Sequence, residues 1–159
     1  MNSLEKFKYW ENKATYDLET ARAMLQTGRY LYVAFMAQQA TEKLVKGLYV
    51  LYIDREPTRT HNIWLIFNEL MKVEQFGYET GNHVFVKAQE YKPFFSDLLF
   101  YYIAERYPDY KRQLSSNINE ARAKEVLNKP RRCLHGFNPS AYSRNNFRLS
   151  AKGWRSDKN

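Results

Sequence analysis

The sequence predicts an all-α protein, a four- to five-helix up-and-down bundle that ends near residue 128 and is followed by an irregular basic tail. Two observations lead to this fold class. Apolar residues recur at steps of three and four in successive segments, and no segment alternates with a period of two. The chain has 159 residues, of which 44% are apolar and 16% aromatic. That is enough to fill the core of one domain.

The first two helices are predicted over residues 4–26 and 30–53. The stripe of the first consists of Leu4, Phe7, Trp10, Ala14, Leu18, Ala21 and Leu25, and that of the second of Val33, Ala37, Ala40, Leu44, Leu48 and Leu51. Only Gly28 and Arg29 interrupt the pattern between them. So short a connection favours an antiparallel hairpin, with Trp10, Leu18, Leu44 and Leu48 buried.

Three further helices are expected after Pro57. The third is capped by Thr60 and carries Ile63, Ile66, Phe67 and Leu70, and Gly77 and Gly81 close the loop after it. The fourth carries the apolar face Phe94–Ile103, with Pro93 in its first turn and Pro108 at its end. The fifth runs from Ile118 to about Leu127, capped by Ser115 or Ser116.

The expected location is the cytoplasm. Cys133 is the only cysteine, so no disulfide forms within the chain and a reducing compartment is the simpler interpretation. No apolar run follows the N-terminal charges, and no segment has the ~18 uncharged apolar residues of a membrane span. The sequence also has no Walker loop, dinucleotide fingerprint or cluster of metal ligands, so neither a cofactor nor a metal is expected.

The net charge of +8 is concentrated in residues 129–159, where eight basic side chains face one acidic residue, Asp157. The body of the protein is nearly neutral, so the basic pI is weak support for nucleic-acid binding by the folded domain. Because the helical pattern also stops near Pro130, we expect residues 130–159 to be the product of a shifted reading frame or a recent fusion. If so, the last helix is truncated and the tail packs poorly.

Several short strings, in this order, resemble the HEPN domain family (higher eukaryotes and prokaryotes nucleotide-binding). They lie within residues 5–128. The strings are Trp10, Ala14, Asp17-Leu18 and Ala21, then Tyr30, Ala34-Phe35, Gln38-Gln39-Ala40, Glu42-Lys43 and Lys46, then Thr60-His61-Asn62 with Leu65, and finally Ala104-Glu105-Arg106-Tyr107-Pro108-Asp109.

The resemblance implies a helical bundle that forms a homodimer and is often encoded beside a small nucleotidyltransferase. Some members are toxins of toxin–antitoxin pairs that cleave RNA without a metal, using an Arg and a His that are separated by four to six residues. The imidazole can move a proton at the ribose or the leaving oxygen, and the guanidinium can stabilise the phosphorane charge.

This chain departs from that catalytic pattern. Its Arg-x5-His string, Arg55 to His61, runs through Pro57 in a loop rather than along a helix. Arg131 to His135 has the wrong spacing and lies in the tail. The sequence therefore assigns no catalytic pair, and Arg106, His61 and Arg55 remain as candidates.

The candidate ligand-binding residues are Gln39, Lys43, Lys46, Arg106 and Tyr107. Residues 39, 43 and 46 share a helix face and could hold a phosphate, or the face could simply be solvated and carry a Glu42–Lys46 pair worth a few tenths of a kcal/mol. His61 could instead cap or pack, and Arg106 could contact helix C-terminal carbonyls and a carboxylate. Tyr101 and Tyr102 are interpreted as core or dimer-interface residues, which would need basic neighbours to stack on bases.

Three function hypotheses follow. The first is a dimeric nucleotide- or nucleic-acid-related binding module that works with a nucleotidyltransferase in a toxin–antitoxin type of system. The second is a metal-independent RNA-cleaving toxin. The third is a helical interaction protein without a ligand.

Overall fold

The computed structural model describes residues 1–80 and 83–137, and these residues form seven helices and no strand. In chain order the helices are α1 (Ser3–Gln26), α2 (Tyr30–Ile53), α3 (Ile63–Leu70), α4 (Glu74–Thr80), α5 (His83–Arg106), α6 (Pro108–Asn117) and α7 (Glu120–Phe137). The all-α prediction is confirmed. The count exceeds the predicted four to five because two short helices, α4 and α6, connect the longer ones.

Helices α1 and α2 form the predicted hairpin. Asn2 caps α1, accepting a hydrogen bond from the backbone N–H of Glu5, whose carboxylate accepts one in return from the backbone N–H of Asn2. Gly28 makes the turn with a φ of 71°, which favours glycine. Gly47 then lets the helices approach closely, because a Cβ added there would lie 2.9 Å from Trp10 Cβ.

The core consists of two clusters. The larger is centred on α2, α3 and α5 and contains the buried rings of Phe67, Phe76 and Phe95. The smaller joins α1, α2 and α7, and includes Leu18 and Leu44. Burial of Leu18, Leu44 and Leu48 is confirmed. Trp10 is only partly buried, which corrects its prediction, since it packs at the edge of the hairpin beside Gly47.

Three boundaries before residue 107 differ from the predictions. Helix α3 begins after Asn62 rather than Thr60, whose hydroxyl instead accepts a hydrogen bond from the backbone N–H of Asn62. Gly77 lies within α4 rather than in a loop, because burial of Phe76 fixes this turn of helix against the core, and Gly81 lies outside the described residues. Pro93 lies in the interior of α5, which begins ten residues earlier than proline placement suggested.

Two boundaries after residue 107 also need correction. Pro108 ends α5 as predicted but also occupies the first turn of α6, where a missing N–H costs nothing. Ser115 and Ser116 donate to carbonyls of their own helix, and the side chain of Asn119 instead accepts the N–H of Arg122 at the start of α7.

Helix α7 continues through Pro130 to Phe137, about ten residues beyond the predicted end. Pro130 removes one backbone hydrogen bond, but Val126 and Leu127 anchor the preceding turns in the core. The last helix is therefore longer than the truncated one that we expected. Residues 138–159 of the basic tail lie outside the described residues, so the predicted domain boundary at 128 and the reading-frame hypothesis stay predictions.

A membrane span requires a long, apolar helix. Within residues 1–80 and 83–137 no helix meets both conditions.

Candidate functional site

A buried carboxylate, Glu42 of α2, organises a polar network between α2 and the loop that precedes α3. Its side chain is 8% exposed, and both oxygens are occupied. Lys46 Nζ donates to Oε1 at 2.6 Å, and Gln38 Nε2 donates to Oε2 at 2.7 Å. His61 Nδ1 lies 3.0 Å from the same Oε2. An ionised carboxylate only accepts hydrogen bonds, so Nδ1 carries the proton and Nε2 is left for another partner.

The Glu42–Lys46 pair is therefore present, but it is not the solvated surface pair considered above. The Lys46 side chain is only 12% exposed and Gln38 is fully buried. In this setting the pair cannot be lost at the small cost of an exposed i,i+4 pair, because removing either partner leaves a charge away from water.

Tyr102 of α5 lies between two of the candidate residues, His61 and Arg106. The His61 ring stacks on its ring with the centroids 3.9 Å apart and the planes 21° apart. The Arg106 guanidinium carbon lies 3.8 Å from the same centroid, and Arg106 also donates to the carbonyl oxygen of Tyr102 at 3.3 Å. Two groups this close to one ring centre cannot share a face. The phenol ring is therefore sandwiched between the imidazole and the guanidinium.

The resulting surface, which we call the Tyr102 stack, consists of His61, Tyr102 and Arg106 above the Glu42 network. Glu42 neutralises Lys46, and Arg106 makes no ion pair within the described residues. Arg106 is exposed, and the His61 side chain is 47% exposed. The stack thus carries a net positive charge in contact with solvent, supported from below by a satisfied buried network.

The structure separates the remaining candidates from this stack. Lys43 pairs with Asp17 of α1 rather than with Glu42. Tyr107 is 57% exposed and packs edge-on against Tyr110. Arg55 is exposed and makes no hydrogen bond or ion pair with any described residue.

Gln39 is connected to the Glu42 network through Gln38. Its Nε2 donates to Gln38 Oε1 at 2.6 Å, so hydrogen bonds link Gln39, Gln38, Glu42 and His61 in that order.

Sequence reasoning missed Tyr102 and underestimated Glu42. Tyr101 is buried in the core as expected, but Tyr102, one residue further around the helix, has Arg106 and His61 as neighbours, and they cover both faces of its ring. The spacing of Tyr102 and Arg106, four residues apart on one helix, was the available signal. His61 comes from a distant loop, so no local pattern could predict that it joins them.

No group of three or more histidine, cysteine, aspartate or glutamate side chains in the part of the chain that the structure describes could hold a metal ion. The candidate site offers Glu42 and His61, and both oxygens of Glu42 are already engaged.

The family to which the chain belongs follows from comparison with protein-family models. The model of the HEPN domain matches residues 7–135. The chain belongs to the HEPN domain family. The match extends beyond the strings within residues 5–128 and includes most of α7. No curated protein and no solved structure matches the chain significantly.

The HEPN assignment gives the Tyr102 stack a context. HEPN domains are all-α, nucleotide- or RNA-related modules at the level of the family, and every residue of the stack lies inside the matched range. In this HEPN chain Arg106 and His61 approach the same tyrosine ring. They come from different elements and are separated by a tyrosine ring.

Proposed function

We propose that this HEPN protein is a binding module that holds a phosphate of a nucleotide or RNA at the Tyr102 stack. The observation that carries the proposal is the placement of the Arg106 guanidinium and the His61 imidazole on the two faces of Tyr102. A guanidinium has five N–H donors, and Arg106 uses one of them on the Tyr102 carbonyl. The others suit the planar, bidentate recognition of phosphate.

The Glu42 network supports ligand binding because it fixes the orientation of the His61 ring. The bond to Glu42 fixes the His61 ring with Nε2 directed away from the carboxylate. Lys46 and Gln38 hold Glu42 in place, so the imidazole does not have to be ordered when a ligand arrives. Lys46 acts here through Glu42. Arg106 is the group that binds the phosphate, and His61, on the other face of Tyr102, presents Nε2 to another polar group of the same ligand.

Binding is tested by fluorescence anisotropy with a labelled single-stranded RNA and, separately, with labelled ATP. Arg106→Ala is expected to weaken binding about tenfold, the loss of one charge-assisted contact. Arg112→Ala is the matched control, because Arg112 is another exposed arginine nearby, in α6, and lies outside the stack. Equal binding by the two variants would contradict the proposal. Absence of binding by the unchanged protein would leave the ligand-free interaction protein as the better hypothesis.

A second candidate function, metal-independent RNA cleavage, is favoured by the Glu42–His61 hydrogen bond. A carboxylate on Nδ1 is the usual way to orient a histidine that transfers a proton through Nε2. The Tyr102 ring opposes this function, because it keeps Arg106 and His61 from converging on one phosphate, as a phosphoryl transfer requires.

We therefore expect no RNA cleavage above background in the presence of EDTA. Growth arrest on expression is the corresponding test in cells, repeated with Arg106→Ala and His61→Ala. Cleavage or arrest that disappears in both variants would establish the toxin instead.

The proposed module is a homodimer. Ile103, Tyr107 and Tyr110 are each at least 37% exposed and follow one another along the end of α5 and the start of α6. Tyr107 packs edge-on against the ring of Tyr110, so these two rings form one apolar surface. Sedimentation is expected to give a dimer at tens of micromolar, and Tyr110→Glu is expected to give a monomer. A monomer for the unchanged chain would refute this part.

We further propose that the dimer works with a nucleotidyltransferase in a toxin–antitoxin type of system. The resemblance of the motifs supports this partner, and the charge of the stack is compatible with a protein that handles nucleotides. Co-purification of the two gene products from their native operon is the test. A neighbouring gene of another class would count against it.

A further inference from the structure

A concave site lies on the other side of α5 from the Tyr102 stack, between α5, α6 and α7. Its volume is about 230 Å³. Its apolar walls are Phe100, Leu114 and Ile118, and its polar rim includes Gln113 and Asn117. None of these residues belongs to the Tyr102 stack, which is built from the loop before α3 and the opposite face of α5.

The cavity has no uncompensated positive charge that would favour an anionic ligand. Arg122 is its cationic residue, but the guanidinium donates to Asp97 at 3.0 Å and to Glu125 at 2.7 Å. Two carboxylates thus offset one guanidinium. Tyr101 also lines the cavity, and burial raises the pKa of its phenol, so it stays a neutral hydroxyl. A phosphate would gain little here, whereas an uncharged ligand does not need a net charge at the site.

The rim supplies hydrogen-bonding groups that are not otherwise used. The side-chain amides of Gln113 and Asn117 are four residues apart on α6 and therefore face the same way. Neither amide hydrogen-bonds to any described residue. Each offers a donor and an acceptor side by side, the pattern that binds the edge of a heterocyclic base. The Phe100 ring provides an aromatic wall.

We propose that this cavity binds an uncharged nucleobase, either as a free nucleoside or as an unpaired base of RNA. Its size limits the ligand, since 230 Å³ is below the usual range for sites that enclose drug-sized molecules. A ring system fits, and the sugar and phosphate must extend into solvent. Because the site uses neither Arg106 nor His61, this inference is independent of the proposed phosphate site.

The test uses NMR spectroscopy of the methyl groups of Leu114 and Ile118, titrated with adenosine and with uridine. Saturable shifts are expected for at least one nucleoside. Gln113→Trp should fill the cavity from its rim and lower the affinity at least about tenfold. Ser115→Trp places the same side chain on α6 roughly 200° away around the helix axis, and should leave the affinity within about twofold.

Two further variants separate loss of the rim amide from added bulk, and this cavity from the Tyr102 stack. Gln113→Ala should also weaken binding without adding bulk, and Arg106→Ala should leave the methyl shifts unchanged. Shifts with an RNA that has one unpaired adenosine, but not with the paired duplex, would identify the ligand as an RNA base. Shifts with adenosine alone would identify a free nucleoside. The inference is overturned if neither nucleoside shifts these methyl groups, or if Gln113→Trp and Ser115→Trp titrate alike.

Discussion

Replacing Glu42 by glutamine should destabilise the protein far more than the same change at an exposed carboxylate. The substitution keeps the size of the side chain but removes its charge, while Lys46 and the fully buried Gln38 keep their positions. Removing one partner of a buried pair typically costs about 3 kcal/mol or more, because the remaining charge is left away from water. For a chain of this length that corresponds to a fall in Tm of roughly 6–12 °C.

Glu125→Gln is the matched control. Glu125 also accepts from two cations, Arg122 at 2.7 Å and Lys129 at 2.8 Å, but its side chain is 47% exposed. Exposed pairs contribute less than about 1 kcal/mol. Urea unfolding of both variants, followed by circular dichroism at neutral pH, gives the two differences directly. Equal losses of stability in the two variants would refute the argument that burial makes the Glu42 network a rigid support.

Three other predictions concern the fold. Gly47→Ala should destabilise the protein by up to about 2 kcal/mol in urea unfolding, because overpacking against Trp10 outweighs the gain in helix propensity; an increase in stability would show that the hairpin can separate. Burial and the hydrogen bond to Glu79 raise the pKa of Tyr52 well above its ordinary value near 10, so its contribution to stability is complete below about pH 10 and is lost as the pH rises further. Tyr52→Phe should reduce that alkaline loss by about 1 kcal/mol per pH unit, and an unchanged slope in alkaline urea titrations would contradict the assignment. The nucleotide sequence tests the reading-frame hypothesis. When the nucleotides after codon 129 are read in the frame that starts two nucleotides later, they should encode an amphipathic helical segment. An early stop codon in that frame would exclude the hypothesis.

The fold could be predicted largely because its main helices have long apolar stripes. The stripes of α1 and α2 and the short turn at Gly28 were sufficient to place the hairpin. The errors occurred where local signals compete with tertiary contacts. Pro93 and Pro130 lie inside helices because buried neighbours hold those helices together, which proline placement alone does not reveal.

The sequence allowed some residues of the candidate site to be predicted, but not their arrangement. Arg106, His61 and Lys46 could be selected because their types and motif positions suggested an anion site. Their arrangement could not be predicted, because it depends on a contact between residues 61 and 102 that no periodicity encodes. The burial of Glu42 was likewise hidden, since an i,i+4 pair has the same spacing on a core-facing and a solvent-facing side of a helix.

The most direct test of the Tyr102 stack as one binding site is a double-mutant cycle on RNA affinity. Arg106→Ala, His61→Ala and the double variant are compared with the unchanged protein by anisotropy at fixed salt concentration. If both side chains hold the same ligand from the two faces of Tyr102, their effects should be coupled by about 0.5 kcal/mol or more. Strictly additive losses, or no loss in either single variant, would contradict the account.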